Sequence, residues 1–225
     1  TFDDEFYFTN ELAKEGRVVI VNGESGEPST EKVFQTEPFY TVETCSEFSF
    51  NKRLLNSADL LILNGINELP SGLIADISSF LRQGGSVFCI PGSDINYADY
   101  TQMLKSVGLS GYTGKVTTGN QLSDISYASS FFNGMFDKQQ KTLNVPLLKS
   151  VYSLKNFRQA NAEVLLTLRN QHPLMVSVKQ EGTFYLLNTD LSKANGGFTA
   201  NALFPSILLR SAELSLRSLP SYFTI

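Results

Sequence analysis

The 225-residue sequence contains no tryptophan, a single histidine and only two cysteines. This scarcity excludes a conventional zinc site, because such sites draw several nitrogen and sulfur ligands from one chain. Cys45 and Cys89 both fall in runs typical of β-strands. Those strands are not neighbours in the expected sheet, so we expect two free, buried thiols rather than a disulfide. Free thiols fit either a reducing compartment or an exported domain.

Long basic runs and long apolar runs are also absent. The 18 basic residues are scattered among 22 acidic ones, and the net charge is −4. A chain without a basic patch is a poor partner for nucleic acid, so we predict none. No apolar stretch approaches the roughly 18 to 20 residues that a membrane span requires. The start, TFDDEFYF, lacks an initiator methionine and a basic leader, which indicates an excised piece. We therefore expect contact with a membrane only through helices outside this sequence.

The clearest pattern in the chain lies between residues 57 and 92. Ala58 to Leu63 is an apolar run typical of a buried strand, and Val87 to Ile90 is a second one. Between them, apolar residues recur at helical spacing after Pro70, and Gly84-Gly85 supplies the left-handed cap that ends a helix. The helical positions are Leu73, Ile74, Ile77, Phe80 and Leu81. This stretch predicts a βαβ unit inside an open parallel sheet.

The flanking segments predict further strands and helices. Before the unit we expect a strand at Arg17 to Val21, a helix capped by Ser29 or Thr30 and a strand at Tyr40 to Ser46, and after it a helix ending at Gly108. Residues 109–160 are predicted to be an insertion with short strands. Three strands at hairpin spacing are then expected to continue the sheet in antiparallel sense, followed by a terminal helix capped by Asn201. The three strands are Glu163 to Leu168, Leu174 to Val178 and Phe184 to Leu187.

Length and composition favour one domain over residues 1–225, because 225 residues with 42% hydrophobic content can bury one sizeable α/β core. Residues 1–15 and 218–225 are apolar in part. We expect them to be segments of neighbouring domains.

Five segments, taken in order, resemble the extracytoplasmic domain of membrane-anchored bacterial proteins of the aerotolerance-regulator (BatA) type, common in the Bacteroidetes. They are ADLLILNG, LPSGLIADISSFLRQGGSVFCIPG, EVLLTLRNQHPLMVSV, GTFYLLNTDLS and ALFPSILLRSAELSLRSLP. The similarity covers roughly residues 16–217. It implies a flavodoxin-like, class I glutamine amidotransferase-like three-layer sandwich whose parallel sheet is extended by antiparallel strands. It also implies a periplasmic or other extracytoplasmic domain of an inner-membrane protein.

The sequence departs from the amidotransferase pattern at the residues that carry catalysis. In that family a cysteine occupies the sharp turn after the central strand, and a histidine follows the last strand. Here Pro91 aligns with the nucleophile, while Cys89 lies two residues earlier, in the body of the strand. The position of the base is occupied by Asn188 to Asp190, and the single histidine, His172, lies in a turn between two strands. We therefore predict no catalytic residue and no metal or other cofactor.

Ligands of open parallel sheets bind beyond the carboxyl ends of the strands. The residues expected there form the candidate cleft, which comprises Asn22, Gly23, Asn64, Gly65, Pro91, Gly92, Ser93, Asp94, Asn188 and Asp190.

Two hypotheses of function follow. The first is a non-catalytic interaction or scaffold domain of a membrane-anchored envelope protein, with neighbouring domains of the same chain or other envelope proteins as partners. The second is a hydrolase or small-molecule binder that uses the cleft around Pro91 to Asp94, with Ser93 or a bound cation carrying the chemistry.

Overall fold

A computed structural model describes residues 15–117, 119–136, 147–157 and 161–217. The described chain contains ten strands, which are β1 (Gly16–Asn22), β2 (Tyr40–Ser46), β3 (Leu60–Ile66), β4 (Ser86–Pro91), β5 (Tyr112–Val116), β6 (Leu122–Ile125), β7 (Val151–Leu154), β8 (Ala162–Leu168), β9 (Pro173–Lys179) and β10 (Thr183–Leu187). Its α-helices are α1 (Ser29–Gln35), α2 (Ser71–Arg82), α3 (Tyr97–Ser106) and α4 (Leu203–Glu213). Short 3₁₀ turns lie at Lys52–Asn56, Ser130–Phe132, Lys193–Asn195 and Phe198–Ala200.

Eight of the strands form one sheet in the order β2-β1-β3-β4-β10-β9-β8-β6. Strands β1 to β4 are parallel, and β10 is parallel to β4. The remaining three strands alternate in direction beyond β10. The prediction that all three late strands extend the sheet in antiparallel sense is therefore wrong for β10. The long connection before β8 allows the chain to enter the sheet from its far side and to return to the centre with β10.

Helices cover both faces of the sheet, so the fold has three layers. On one face, Phe34 of α1 and Phe204 and Ile207 of α4 pack against β1, β3 and β4. On the other, Ile77 of α2 and Met103 of α3 pack against the same strands. The buried side chains of β1, β3 and β4 divide between two apolar cores because successive residues of a strand point to opposite faces. The α/β fold class predicted from the sequence is confirmed.

The βαβ unit at the centre of the sequence is confirmed as β3, α2 and β4. Both strands are fully buried, and the predicted apolar positions of α2 all lie in the core. Gly84 adopts a φ of +83°, which L-residues other than glycine rarely take, and so ends α2 as predicted. The unit therefore sets the register of the middle of the sheet.

Residues 109–160, predicted to be an insertion, contain short strands as expected, and these strands belong to two different sheets. Strand β6 joins the main sheet at its edge beside β8, and β5 and β7 form a separate two-stranded sheet. Neither predicted N-terminal helix cap is correct. Helix α4 has Ala202 at its N-cap, although Asn201 Oδ1 accepts a hydrogen bond from the backbone N–H of Leu203. Ser29 and Thr30 lie inside α1, which has no side-chain cap.

The two cysteines are free, and β1 and β3 separate their strands in the sheet. Cys89 is completely buried, but Cys45 is only half-buried because β2 is an edge strand. The expectation of two buried thiols is thus correct for Cys89 and wrong for Cys45.

Residues 1–14 and 218–225, which we expect to belong to neighbouring domains, lie outside the described residues. None of the described helices combines the length and apolar character needed to cross a bilayer.

Candidate functional site

The parallel strands β1 to β4 and β10 end at one side of the sheet, here called the carboxyl edge. Three residues of the predicted cleft lie at these strand ends: Asn22 and Pro91 are the last residues of β1 and β4, and Asn64 lies two residues before the end of β3. Asn188 follows the end of β10. The structure therefore places the predicted residues at one edge of the sheet.

The part of the carboxyl edge over β1 and β3 is closed by the loop between β1 and α1. The Nδ2 group of Asn64 donates hydrogen bonds to Asn22 Oδ1 at 2.7 Å and to the Glu27 carbonyl at 3.1 Å. Its Oδ1 accepts one from the Thr30 hydroxyl at 3.0 Å. Asn64 is 1% exposed. Its amide thus serves to hold the loop onto the sheet, and it has no surface to offer a ligand.

Two glycines allow this loop to lie directly against β3. A Cβ on Gly23 would lie 2.5 Å from the carbonyl oxygen of Gly65, and a Cβ on Gly65 would lie 2.3 Å from the carbonyl oxygen of Ser25. Gly65 also has a φ of +69°. The backbone contacts leave no room for a bound molecule at Gly23 and Gly65.

Asn188 and Asp190 are also buried, with their polar atoms used inside the protein. Asn188 Oδ1 accepts a hydrogen bond from the Tyr112 hydroxyl at 2.9 Å, and its Nδ2 donates to the Pro173 carbonyl at 2.9 Å. Asp190 accepts hydrogen bonds from Ser192 and Asn195. These side chains fix the segment after β10 and do not line an open cleft.

Four tyrosines cover the carboxyl end of β4 and form the tyrosine stack, in the order Tyr97, Tyr152, Tyr112 and Tyr100. Successive ring centroids are 6.2, 5.1 and 6.0 Å apart. The Tyr152 hydroxyl donates to the Gly92 carbonyl at 2.6 Å, and the Tyr100 hydroxyl donates to the Ile66 carbonyl at 2.7 Å. The stack therefore fills the space above the turn that follows β4.

Cys89 lies beneath the tyrosine stack, on the face of the sheet covered by α2 and α3. It is 0% exposed, and the Tyr100 hydroxyl is in hydrogen-bonding contact with its thiol. Burial raises the pKa of Cys89 to about 12, because a thiolate there would lose its hydration. Burial also raises the pKa of Tyr100 and Tyr112 well above the ordinary value. At neutral pH these groups are uncharged.

His172 lies between β8 and β9, as predicted. Its Nδ1 is 3.4 Å from the Ser153 hydroxyl on β7, and its backbone N–H donates to Asn170 Oδ1. No contact joins it to Cys89, Pro91 or Ser93 within the part of the chain that the structure describes. The structure thus does not assemble a thiol and imidazole pair from the described residues.

Ser93 and Asp94 are exposed at the side of the tyrosine stack. The Ser93 hydroxyl is 3.0 Å from the Ser25 hydroxyl, and the Asp94 backbone N–H donates to Asn67 Oδ1 at 3.3 Å. Lys115 Nζ donates to the Ser93 carbonyl and lies 4.8 Å from the centre of the Tyr152 ring. The turn after β4 is therefore fixed by contacts from the β5–β7 sheet.

Beside this turn the carboxyl edge has an open cavity of about 580 Å³. We call it the acidic cavity, because its lining includes four carboxylates and no basic side chain. It is lined by Glu24, Glu47, Phe48, Phe50, Asn67, Glu68, Pro70, Leu73, Asp94, Ile95 and Asn96. Among the ten residues of the predicted cleft, only Asp94 lines this cavity.

Most of the residues around the open space were therefore not expected from the sequence. A signal was nevertheless present, because Glu24, Glu47 and Glu68 each follow closely on the end of β1, β2 or β3. The carboxyl ends of neighbouring parallel strands meet at one edge, so carboxylates placed there converge. In the described ranges, no group of three or more His, Cys, Asp or Glu side chains is arranged to hold a metal ion. The absence of a cofactor stays a prediction.

Comparisons with known proteins concern the fold. No protein-family model matches the chain, and no curated protein matches it. A ThuA-like protein from Bacteroides uniformis superposes with a TM-score of 0.70 at 11% identity, covering 94% of this chain and 95% of that one. A cytoplasmic protein from Salmonella typhimurium gives 0.61 at 15% identity, covering 87% and 97%.

A GMP synthase protein from Thermoplasma acidophilum gives a TM-score of 0.54 at 9% identity, covering 89% of this chain and 94% of that one. At such identities the likeness establishes the fold alone. The amidotransferase-like fold predicted from the sequence is confirmed. None of these three structures bears on the aerotolerance-regulator type.

Proposed function

We propose that this chain is a non-catalytic interaction domain, an amidotransferase-like fold that contributes binding surface rather than chemistry. One observation carries the proposal: the carboxyl end of β4, where the resembled family places its nucleophile, is covered by the tyrosine stack. The Tyr152 hydroxyl donates a hydrogen bond to the Gly92 carbonyl. Cys89, the only cysteine of that strand, is completely buried beneath the stack. A reactive thiol needs exposure and a lowered pKa, and burial gives Cys89 the opposite of both.

The hydrogen-bond partners of the Ser93 hydroxyl also support a role without catalysis. A serine nucleophile needs a base within hydrogen-bonding reach. The Ser93 hydroxyl contacts the Ser25 hydroxyl, which is not a base at neutral pH. The single histidine contacts Ser153 instead.

The envelope setting belongs to the same proposal and is supported by the sequence resemblance. We place the domain in a membrane-anchored protein of the cell envelope, where neighbouring domains or other envelope proteins are its partners. Fractionation of the tagged full-length protein should recover it with the inner membrane. Recovery in the cytosolic fraction would show that the setting is wrong.

A substrate screen tests the absence of catalysis. The full-length protein is incubated with glutamine and with panels of amides, esters and glycosides, beside Ser93→Ala, Asp94→Asn and Cys89→Ser variants. We expect no turnover above that of the buffer. Turnover that one of these substitutions abolishes would overturn the proposal in favour of a hydrolase.

Partner capture tests the interaction role directly. The tagged full-length protein is cross-linked in its own cells, purified and analysed by mass spectrometry, with an unrelated envelope protein as the control. We expect a reproducible cross-link from the described domain to another domain or protein. Its absence under conditions that cross-link the control to its known neighbour would contradict the proposal.

A further inference from the structure

The acidic cavity collects one carboxylate from each of four neighbouring loops. Glu47 follows β2, Glu24 follows β1, Glu68 follows β3 and Asp94 follows β4. This sequence of strands is also their order in the sheet. The parallel arrangement therefore concentrates negative charge at one place, although the four residues are spread over seventy positions of the sequence.

Within the described part of the chain, no ion pair neutralises these four carboxylates. The described ion pairs join Arg210 to Glu213 and Arg217 to Asp59, which lie elsewhere. Burial raises the pKa of Glu47, and the nearby carboxylates of Glu24 and Glu68 raise it further. A cation that enters between these carboxylates lowers the repulsion among them.

The same cavity has an apolar side. Phe50, Pro70, Leu73 and Ile95 contribute carbon surface to its lining. Phe48 stands at the rim with 85% of its surface exposed. Exposed aromatic side chains beside a concave surface are typical anchors of protein contacts. An occupant that fits must combine a positive charge with apolar groups.

We infer that the acidic cavity is a docking site for a segment of a partner protein that presents a Lys or Arg side chain next to an apolar one. The inference rests on the proposed interaction function and names the chemistry of the partner. Charge complementarity selects the cationic side chain, and Phe50, Leu73 and Ile95 select the apolar neighbour. Phe48 lines the cavity and still exposes 85% of its surface to solvent, which favours a polypeptide over a small amine, because only an extended occupant can contact both Phe48 and the carboxylates.

Fluorescence anisotropy of labelled decapeptides with the full-length protein tests this inference. The first peptide set places Lys or Arg beside Leu or Phe, the second places Lys or Arg beside Ser, and the third places Glu beside Leu. We expect binding of the first set only, and weaker binding as salt is added because the charges are screened.

Matched variants locate the binding. Glu47→Gln combined with Glu68→Gln removes two charges from the cavity, and we expect about a tenfold loss of affinity, as for truncated partners of interfacial charges. Phe48→Ala should give a loss of similar size. Glu43→Gln combined with Glu181→Gln removes two charges from exposed positions outside the cavity lining, and should leave affinity within about twofold. Thermal unfolding of each variant checks that it is folded.

Four results would overturn the inference, and the last of them leaves the interaction role intact. The first is equal binding of the Lys/Arg–Ser peptides, which would show charge attraction without a docking site. The second is binding of spermidine with no binding of any peptide, which would assign the cavity to small amines. The third is an equal loss in both double variants. If cross-linking recovers a partner that the Glu47→Gln/Glu68→Gln protein still binds, the docking site is wrong while the interaction role stands.

Discussion

Cys89 and Pro91 lie two residues apart in β4, and this spacing decides what each of them can do. Cys89 lies in the body of the strand, where its side chain points into the core between the sheet and the α2/α3 layer. Pro91, at the strand end, is buried and offers no nucleophile. The thiol of Cys89 is therefore kept from reacting by its buried position in the strand.

Thiol labelling tests this conclusion at the level of single residues. In native protein at neutral pH we expect a thiol reagent to modify Cys45 alone, more slowly than free cysteine, because burial and Glu43 raise its pKa. Both thiols should react once the chain is unfolded. In a Cys45→Ala variant the native protein should be inert, and fast labelling of that variant would show that Cys89 is accessible.

At the scale of elements, the loop between β1 and α1 and the end of β3 form one closed unit. Backbone contact between Gly23 and Gly65, together with the hydrogen bonds of Asn64, fixes the loop at the carboxyl edge. This closure leaves no space over Gly23 and Gly65, and the open space beside them is the acidic cavity. The loop is thus structural, although its glycines lie where phosphate-binding loops are found in other α/β proteins.

Two glycine substitutions separate this packing role from ordinary helix propensity. Gly65→Ala forces a left-handed residue and a contact with the Ser25 backbone, so we expect a loss of more than about 2 kcal/mol in the free energy of unfolding. Gly72→Ala, in α2, meets nothing within 4 Å and should be neutral or stabilising by up to about 1 kcal/mol. Urea unfolding of both variants measures the difference. A Gly65→Ala protein as stable as the wild type would show that the loop is not packed as described.

At the scale of the whole molecule, the sheet separates two apolar cores, and the tyrosine stack extends one of them. Tyr100 comes from α3, Tyr112 from β5 and Tyr152 from β7, so the stack ties the β5–β7 sheet to the α2/α3 layer. Each of these three hydroxyls donates a hydrogen bond to an internal oxygen. The small sheet is thereby part of the domain and does not form a separate unit.

Alkaline titration tests this arrangement for the protein as a whole. Burial raises the pKa of Tyr100, Tyr112 and Tyr152 above their ordinary value of 10.0, so above that pH the folded state holds protons that the unfolded state has lost. Stability is therefore complete below pH 10 and falls as the pH rises further. Tyrosinate absorbance of the buried residues should appear together with unfolding measured by circular dichroism. Reversible ionisation of all tyrosines near pH 10 in a folded protein would contradict the structure.

The fold was largely predictable because its elements carry local signals. The apolar runs at β1, β3 and β4 and the helical spacing in α2 each lie within a few turns of chain, and the structure confirms them. The sense of β10 was not predictable in the same way. The residue pattern of a five-residue strand does not show whether it is parallel or antiparallel to its neighbour. The long connection through β5 to β9 decides the direction in which β10 enters the sheet.

The candidate site was predictable only as a location. Asn22, Asn64 and Pro91 were expected at the carboxyl edge from the sequence, and they lie there. The sequence could not show that the side chain of Asn64 makes its hydrogen bonds within the protein, to Glu27 and Thr30. These bonds depend on contacts between residues far apart in the chain. Glu47 and Phe48 were also missed. Glu47 follows directly on β2, which was a usable signal, but the exposed Phe48 in the loop beyond it belongs to no periodic pattern.

The sequence by itself determined the order of the strands and helices along the chain and the presence of Pro91 where the resembled family has its cysteine, because both follow from residue type and local spacing. Only the tertiary structure decided which part of the carboxyl edge is closed and which is open. The closed part depends on tyrosines from α3, β5 and β7 meeting over Cys89, whereas the open part is lined by four carboxylates that converge from separate loops. The positions of the carboxylates just after the strand ends can be found in the sequence, but which space is filled and which stays open is set by packing between distant segments.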